Sequence, residues 1–396
     1  MSLRYGRQMV ATPGPSVIPD RVLTAMATPM PNLYEGEIVE ISHSLVADLP
    51  DLVRTAGEPF MVIGNGHAAW QMSIANTLTR GDRVLVLESG RFALFWGDMA
   101  RQAGIEVEVL SGDNRGPVDP DALEARLAAD TGHTIRAVLT VHTDTASSVR
   151  NDVPALRAAM DAAGHPALLM VDAIASLGCE RYEMDAWGVD LTVGACQKGL
   201  MVPPGLAFVW AGPRALEAQR AMTVESGYFD WSLRMNVEAH YQLYSGTPPI
   251  SHLYGLRAAL DLIAEEGGLD AVWARHQVLA DATRAAVEAW TDPGGIEFNI
   301  VDPVFRSNAV TTILSNGIDA VRLAQICDDG AGLTLGLGIG DYSGRSFRIG
   351  HMGHLNPPML LGTIGTIEAA LGAIRAPTGR SGVAAAAEVV ATGLRP

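Results

Sequence analysis

The sequence predicts an α/β protein, with a large domain built on a mostly parallel seven-stranded sheet between helices and a smaller α+β domain at the C-terminus. Two observations lead to this prediction. Between Pro19 and Val209, short apolar runs alternate with amphipathic stretches, a pattern typical of a sheet covered by helices. The chain also has 396 residues, of which 48% are hydrophobic, so it can bury a large core. We expect an N-terminal segment of residues 1–18, a large domain of residues 19–255 and a small domain of residues 256–396.

Seven short apolar runs are predicted to be the strands of the large sheet. Each is bounded by turn residues or by an amphipathic stretch. The predicted strands span residues 60–63, 83–87, 106–110, 137–141, 167–171, 191–194 and 206–210. Five amphipathic patterns between them predict the covering helices, and Pro or Asp near several of the starts favours a first helical turn. The predicted helices span residues 67–78, 93–103, 119–128, 153–163 and 213–221.

The pattern changes after Tyr228. An irregular, aromatic stretch over 228–247 leads into a long helical pattern over 252–290, which only Gly267-Gly268 interrupts. The rest of the chain predicts two strands, two helices and, after a loose stretch at 377–381, a final Ala-rich helix. These strands span residues 310–314 and 346–349, and these helices span residues 319–328 and 359–374.

Composition and charge exclude several classes of function. The chain carries 28 Lys and Arg against 44 Asp and Glu, a formal net charge of -16. Since it also lacks any basic run, neither nucleic acid nor an anionic membrane is an expected partner. The first residues lack an apolar signal region, and no run approaches the roughly 18 apolar residues of a membrane span. We expect a soluble, cytoplasmic protein whose partners are small molecules and other proteins.

The cysteines and histidines indicate neither a disulfide framework nor a metal site. The 3 cysteines are Cys179, Cys196 and Cys327. They form no C-x-x-C pair. The histidines closest to other motifs, His67, His142 and His351, are too widely spaced for a metal motif, and we expect them in polar structural roles.

The number of lysines in the chain points to a chemically reactive residue. Of the 28 Lys and Arg residues, only Lys198 is a lysine, so the chain meets its other needs for positive charge with arginine. A guanidinium stays protonated at any useful pH, whereas a lysine amine loses its proton readily, acts as a nucleophile and forms Schiff bases. Lys198 is therefore either a chance survivor on the surface or the residue for which arginine cannot substitute.

The surroundings of Lys198 favour a pyridoxal-phosphate site. Asp172 ends an apolar run at the carboxyl end of a predicted central strand, where open α/β sheets place their ligands. Lys198 follows twenty-six residues later, after the next predicted strand. In a pyridoxal-phosphate enzyme the lysine forms a Schiff base with the cofactor, and the aspartate keeps the pyridine nitrogen protonated so that the ring accepts electrons. Asp172 alone would be weak evidence, since an acid there also caps turns.

A glycine-containing turn, earlier in the chain than Asp172 and Lys198, predicts a phosphate-binding site. Gly64-Asn65-Gly66-His67 follows a predicted strand and opens a predicted helix. Backbone N–H groups at a helix start, together with the helix dipole, bind phosphate well. Gly-x-Gly alone more often marks a plain turn, but its place before Asp172 and Lys198 is the order that a phosphate cup requires.

Together these motifs resemble the class V, fold-type I aminotransferases, and within them the serine/alanine–glyoxylate aminotransferase group. The resemblance covers nearly the whole chain. The segments that carry it are Thr12-Pro13-Gly14-Pro15, the 64–67 turn, residues 171–176, Gln197-Lys198 with Pro203-Pro204-Gly205, Gly246-Thr247-Pro248-Pro249, residues 253–262, residues 347–353 and residues 381–386.

The resemblance implies roles for individual residues. Lys198 would be the Schiff-base lysine and proton carrier, Asp172 would pair with the pyridine nitrogen, and Arg348 would bind the substrate α-carboxylate through a bidentate pair. The implied cofactor-binding residues are Asn65, Gly66, His67, Phe92, Thr145, Asp172, Ile174, Gln197, Lys198, Tyr244 and Thr247. Among them, Phe92 would stack on the cofactor ring and Thr145 would lie near the ring oxygen. Tyr244 and Thr247 would reach the phosphate from the other subunit of a homodimer with shared active sites.

The resemblance implies a transaminase that moves an amino group from serine or alanine to glyoxylate or pyruvate. The chain departs from the family at Cys196, at Asn65 and at Tyr34-Glu35-Gly36-Glu37, where acids stand near the expected entrance, so the donor stays open. A pyridoxamine–pyruvate aminotransferase is an alternative, because residues 349–353 are similar there too. A cysteine desulfurase and a 2-aminoethylphosphonate aminotransferase fit less well, and a non-catalytic pyridoxal-phosphate-binding module is the alternative from another class.

Overall fold

The computed structural model describes residues 2–394 of the chain. Twelve strands occur in this range: β1 (Met9–Ala11), β2 (Glu58–Gly64), β3 (Arg83–Leu87), β4 (Glu106–Leu110), β5 (Ile135–Val141), β6 (Leu168–Asp172), β7 (Leu191–Ala195), β8 (Gly205–Ala211), β9 (Glu297–Phe298), β10 (Val310–Leu314), β11 (Leu333–Leu337) and β12 (Ser346–Gly350).

The same range contains twelve α-helices: α1 (Asp20–Met26), α2 (Glu37–Asp48), α3 (Gly66–Thr77), α4 (Arg91–Gln102), α5 (Pro120–Ala128), α6 (Val153–Ala162), α7 (Pro213–Arg220), α8 (Ile250–Glu266), α9 (Leu269–Trp290), α10 (Ala320–Gln325), α11 (Pro357–Ala373) and α12 (Gly382–Gly393). None of the described helices is both long enough and apolar enough to cross a membrane.

The large sheet confirms the predicted fold class. Its seven strands have the order β2-β8-β7-β6-β5-β3-β4, and every neighbouring pair is parallel except the two that β8 forms with β2 and β7. All seven predicted strands are present, each within two residues of its predicted ends. The five covering helices of this region are present as well.

Both faces of the large sheet are covered by apolar side chains. On β3, Leu85 and Leu87 belong to one buried cluster, whereas Val84 and Val86 belong to another. Successive residues of a strand point to opposite faces, so this alternation places one cluster on each side of the sheet. A sheet buried on both faces leaves its carboxyl ends as the place where polar side chains gather.

The smaller sheet has the order β1-β11-β12-β10-β9. Its strands β10 and β12 were predicted, whereas β1, β9 and β11 were not. Strand β1 is parallel to β11, with Met9 opposite Leu333, so the N-terminal segment joins a sheet made from the last third of the chain. A three-residue strand whose partner lies at the far end of the chain leaves no periodic pattern to read.

The helices differ from prediction at three places. The predicted pattern over 252–290 is two helices, α8 and α9, which separate at Gly267 because that residue has a φ of +113°. The α-helical part of the predicted 319–328 helix ends at Gln325, and a π-helical turn follows over Ile326–Gly330. Helices α1 and α2 were not predicted, although Ile38, Ile41 and Leu45 of α2 are buried at helical spacing.

Candidate active site

A cavity of about 200 Å³ opens at the carboxyl ends of β5, β6 and β7. We call it the Lys198 cavity. Nine residues predicted to bind the cofactor line it: Asn65, Gly66, His67, Phe92, Thr145, Asp172, Ile174, Gln197 and Lys198. Gly14, Pro15, Trp70, Val141, Thr143, Ala175 and Pro204 complete the lining. Residues separated by more than a hundred positions along the chain are thus brought to one edge of the sheet.

Lys198 follows β7 and extends its side chain beneath the N-terminal segment. Its amine donates a hydrogen bond to the carbonyl of Pro13. Gly14 lies so close that a Cβ built there would come within 2.5 Å of the lysine Nζ. Burial, followed by the positive charge of Arg348, lowers the pKa of Lys198 to about 8. A substantial fraction of the amine is therefore neutral and nucleophilic near physiological pH.

Asp172 is the last residue of β6 and is only 3% exposed. One carboxylate oxygen, Oδ1, accepts a hydrogen bond from the backbone N–H of Ile174 at 2.7 Å, and Oδ2 accepts one from the indole Nε1 of Trp70 at 2.9 Å. Burial raises the pKa of Asp172 to about 7 despite these two donors. A cation brought against this carboxylate would restore its charge, and a protonated pyridine nitrogen is such a cation.

The start of α3 forms the opposite side of the Lys198 cavity. Asn65 is the N-cap of this helix, and its side-chain oxygen accepts a hydrogen bond from the backbone N–H of His67 at 3.1 Å. At Gly66, an added Cβ would come within 2.3 Å of the Ile174 Cδ1 atom, so a larger residue there would force the Ile174 side chain to move. Across the cavity, the side-chain Oε1 of Gln197 is buried and has no hydrogen-bond partner among the described residues.

These features fit pyridoxal phosphate. The helix start offers backbone N–H groups and a favourable dipole to a phosphate, while a partly neutral lysine amine and a strand-end carboxylate line the same space. Phe92, the second residue of α4, is half-buried at the wall of the cavity, where an aromatic face is available for stacking.

Arg348 lies on β12 of the smaller sheet and is 8% exposed. Its Nε donates to the carbonyl of Leu337 at 2.9 Å, and its Nη1 donates to the carbonyl of Thr145, a residue of the cavity wall, at 2.8 Å. Within residues 2–394 no carboxylate lies close enough to form an ion pair with it. Burial lowers the pKa of Arg348 to about 10. A buried cation that meets only carbonyls is suited to binding an anion from solution.

Two predicted residues lie away from the Lys198 cavity of their own chain. Tyr244 is fully buried, and its hydroxyl has no hydrogen-bond partner among the described residues. Thr247 is exposed. Their predicted role, at the phosphate of a partner subunit, stays a prediction.

Sequence reasoning missed three contributors to the site. Trp70 donates to Asp172, but an indole inside a helical pattern looks like an ordinary core residue. The Pro13 and Gly14 backbone covers Lys198, although only the Thr-Pro-Gly-Pro turn hinted at it. Asp144, three residues after the end of β5, is buried and accepts a hydrogen bond from the backbone N–H of Phe92. Its signal was present, because it lies close to the carboxyl end of its strand, as Asp172 lies at the end of β6.

The three cysteines provide no exposed nucleophile. Cys179, Cys196 and Cys327 are all buried and free. Burial also raises the pKa of Cys196 to about 11. A mobile thiolate, which a desulfurase requires, is therefore absent from the described residues 2–394.

Comparison with known proteins agrees with this geometry. A family model described as aminotransferase class-V matches residues 63–340. The serine–glyoxylate aminotransferase of Methylorubrum extorquens is 38% identical over 97% of this chain and 96% of its own length. The L-aspartate–glyoxylate aminotransferase of Paracoccus denitrificans is 36% identical over 95% of this chain and 94% of its own length.

A solved structure shows the same fold over the whole chain. The pyridoxamine–pyruvate aminotransferase of Mesorhizobium loti has a TM-score of 0.90 and 25% sequence identity, over 99% of this chain and 100% of that one. The predictions of family and cofactor are confirmed. The chain belongs to the class-V aminotransferase family, and its cofactor is pyridoxal 5′-phosphate.

Proposed function

We propose that this aminotransferase moves the amino group of a small α-amino acid, serine or alanine, to a small keto acid, glyoxylate or pyruvate. The observation that carries the proposal is the unpaired guanidinium of Arg348, bonded to the wall of the cavity that holds Lys198 and Asp172. A substrate carboxylate would accept two parallel hydrogen bonds from that guanidinium and balance its charge.

The cofactor and Lys198 would have different roles in this reaction. When bound, pyridoxal 5′-phosphate supplies the aldehyde that takes up the amino group and a ring that withdraws electrons from the substrate Cα. Lys198 then acts as the base that moves the Cα proton, a role open to it because its lowered pKa of about 8 leaves part of the amine neutral. A positioned base of this kind contributes about 10²–10⁴-fold to the rate.

Asp172 and the start of α3 hold the cofactor. The carboxylate of Asp172 is fixed by the Trp70 and Ile174 donors, so its two oxygens cannot turn away from the ring. Asn65, Gly66, His67 and Gln197 would bind the phosphate. Tyr244 and Thr247 would complete that phosphate site from the second subunit of a homodimer. The cytoplasm, expected from the sequence, stays the predicted compartment.

The proposed donor and acceptor also draw on the named relatives. Two relatives at 38% and 36% identity are named glyoxylate aminotransferases, one with serine as donor and the other with L-aspartate. Glyoxylate is therefore the shared acceptor, whereas the donors differ. In this chain Glu35 and Glu37 lie in an exposed segment. If that segment stands near the entrance, as the sequence predicts, like-charge repulsion would disfavour a dicarboxylic donor.

A second candidate is transamination between pyridoxamine and pyruvate. The TM-score of 0.90 to a pyridoxamine–pyruvate aminotransferase favours it. Pyridoxamine has neither a phosphate nor a carboxylate. A pyridoxamine-specific enzyme would therefore use Arg348 only for the keto acid and would leave the α3 start without a phosphate.

A half-reaction screen tests both candidates. Purified protein loaded with cofactor is mixed with L-serine, L-alanine or L-aspartate, and the visible absorbance band of the cofactor is followed. We expect L-serine or L-alanine to bleach the band and glyoxylate or pyruvate to restore it. In parallel, cofactor-free protein receives pyridoxamine and pyruvate. A band that no amino acid bleaches, together with turnover of pyridoxamine, would replace the first candidate by the second.

A further inference from the structure

A buried acid next to the Lys198 cavity has no part in the roles above. Asp144 lies three residues after the end of β5 and is fully buried, with 0% exposure. Its Oδ1 accepts a hydrogen bond from the backbone N–H of Ala146 at 2.8 Å. Its Oδ2 accepts one from the backbone N–H of Phe92 at 2.8 Å and a longer one from Ala93 at 3.4 Å.

The partners of Asp144 are all donors. Phe92 and Ala93 are the second and third residues of α4, so the carboxylate occupies the positive end of that helix and satisfies N–H groups that have no partner within it. Burial raises the pKa of Asp144, while the amide donors act in the opposite direction. Each of these hydrogen bonds is one that a carboxylate oxygen accepts from a backbone N–H.

The chain is shaped to admit this carboxylate. Gly90 precedes α4, and a Cβ built there would come within 2.3 Å of the Asp144 Cγ and 2.4 Å of its Oδ1. A residue larger than glycine at position 90 would therefore push the carboxylate away from the helix start. The contact fixes where the α4 start lies relative to the loop after β5.

Both ends of this contact lead to the cavity. On one side is Phe92, whose ring lines the cavity and would stack on the cofactor. On the other side is Thr145, between Asp144 and Ala146, and its carbonyl accepts the Arg348 Nη1 hydrogen bond at 2.8 Å. A shift of the Asp144 carboxylate would therefore move both the Phe92 ring and the Thr145 carbonyl that holds the guanidinium of Arg348.

We propose that Asp144 is a positioning residue, whose carboxylate joins the start of α4 to the loop after β5 and so sets Phe92 and Arg348 for the reaction. The inference rests on the proposed function of Phe92 and Arg348. It does not depend on which amino acid is the donor, because both residues act on features common to all α-amino acids.

Two variants distinguish the effect of the carboxylate's charge from the effect of its position. Asp144→Asn keeps the shape of the side chain but removes its charge. Its NH₂ group also replaces one accepting oxygen, so one backbone N–H loses its hydrogen-bond acceptor. Gly90→Ala keeps the charge but displaces the carboxylate. The matched control is Asp130→Asn, which removes another buried carboxylate that accepts a backbone N–H, that of Ile135 at 2.8 Å. Asp130 lies before β5, at the opposite end of the strand from the cavity.

Three readouts are taken on the holoenzymes: visible circular dichroism of the cofactor, the cofactor dissociation constant, and kcat and KM for the best donor. For Asp144→Asn and Gly90→Ala we expect an altered dichroic band, cofactor binding weaker by about tenfold and kcat/KM lower by roughly ten- to a hundredfold, since charge-assisted hydrogen bonds are lost. For Asp130→Asn we expect a lower melting temperature with the band and kcat retained.

The proposal is overturned if Asp144→Asn shows the wild-type band, affinity and kcat/KM, or if Asp130→Asn alters the band and kcat as much as Asp144→Asn does. If Asp144→Asn does not fold, Gly90→Ala decides by the same criteria. Failure of the proposed function looks different, because the wild-type protein would then bind cofactor yet leave every amino acid unreacted. In that case the dichroic band and the dissociation constant still test Asp144.

Discussion

The indole Nε1 of Trp70 donates a hydrogen bond to the Asp172 carboxylate at 2.9 Å. This bond ties α3, whose first turn lines one side of the Lys198 cavity, to β6, whose last residue lines another. With Ile174 donating to the other oxygen, the carboxylate is oriented before any ligand enters. No cation of the chain forms an ion pair with it within residues 2–394, so a positive charge on the cofactor ring would be its partner.

The first prediction concerns the stability of the cofactor-free protein. The folded state raises the pKa of Asp172 from 3.8 to about 7, so the folded chain binds this proton more tightly than the unfolded chain does. Stability is therefore lost as pH rises between these values, by an amount on the order of 4 kcal/mol. We expect Asp172→Asn to remove that loss.

Thermal unfolding of both cofactor-free proteins from pH 4 to pH 8 measures the effect. The melting temperature of Asp172→Asn, relative to that of the wild type, should increase as pH rises. Its transaminase activity should be at least a hundredfold lower than that of the wild type, since a neutral amide cannot hold the pyridine nitrogen protonated. A constant difference between the two melting temperatures across this range would contradict the raised pKa.

Lysine variants should keep the fold and lose the chemistry. Lys198→Arg retains a positive charge but cannot form the covalent bond to an aldehyde, and Lys198→Ala removes the base altogether. Both should bind some cofactor through the α3 start and Asp172, yet lose turnover by about 10²-fold or more. Activity assays with a far-ultraviolet dichroism control check this. Full activity in either variant would show that another group is the base.

Arg348 should govern carboxylate binding. Arg348→Lys keeps a charge but loses the planar pair of donors, so we expect KM for the amino acid to rise by roughly ten- to a hundredfold with a smaller change in kcat. Steady-state kinetics with L-serine and L-alanine measure it. The dissociation constant of the cofactor, which should stay unchanged, serves as the control. An unchanged KM for both amino acids would place carboxylate binding elsewhere.

The same arginine should set the pH at which the cofactor binds covalently. Arg348 lowers the pKa of Lys198, which stands at about 8, and only the neutral amine reacts with an aldehyde. The rate of covalent loading should therefore rise with pH around 8 in the wild type. In Arg348→Gln the midpoint should move higher, because a repelling charge is gone. A midpoint that stays in place would show that burial alone perturbs the lysine.

If two subunits share each active site, as the sequence predicts, two defective chains should complement each other. Thr247→Ala should weaken cofactor binding. A purified heterodimer of Lys198→Ala and Thr247→Ala chains would contain one site with both residues intact, and its activity should be about half that of the wild-type dimer at low cofactor concentration. If Thr247 instead serves its own chain, no intact site forms and the heterodimer would be no more active than the Thr247→Ala homodimer.

Much of the site could be predicted because chemistry-bearing residues stand at strand ends and helix starts. Asp172 and Lys198 end or follow neighbouring parallel strands, so the sheet brings them to one edge. Asn65 and Gly66 open a helix at that edge. These placements follow from local patterns alone, and the scarcity of lysine drew attention to a residue that lines the same cavity.

The contacts between distant elements could not be predicted in this way. The bond from Trp70 to Asp172 depends on how α3 lies on the sheet, and the cover of Lys198 by Gly14 depends on β1 joining β11. Such pairings come from tertiary packing, which leaves no period in the sequence. Asp144 is different, since an acid close to the carboxyl end of a parallel strand was a visible signal.

Borohydride reduction of the cofactor-loaded protein, followed by peptide mass spectrometry, tests the central claim most directly. Reduction fixes the cofactor to the amine that holds it. The account predicts one modified residue, Lys198, with the modification lost in Lys198→Arg. Modification of the chain's terminal amine alone, or cofactor that is not fixed at all, would contradict it.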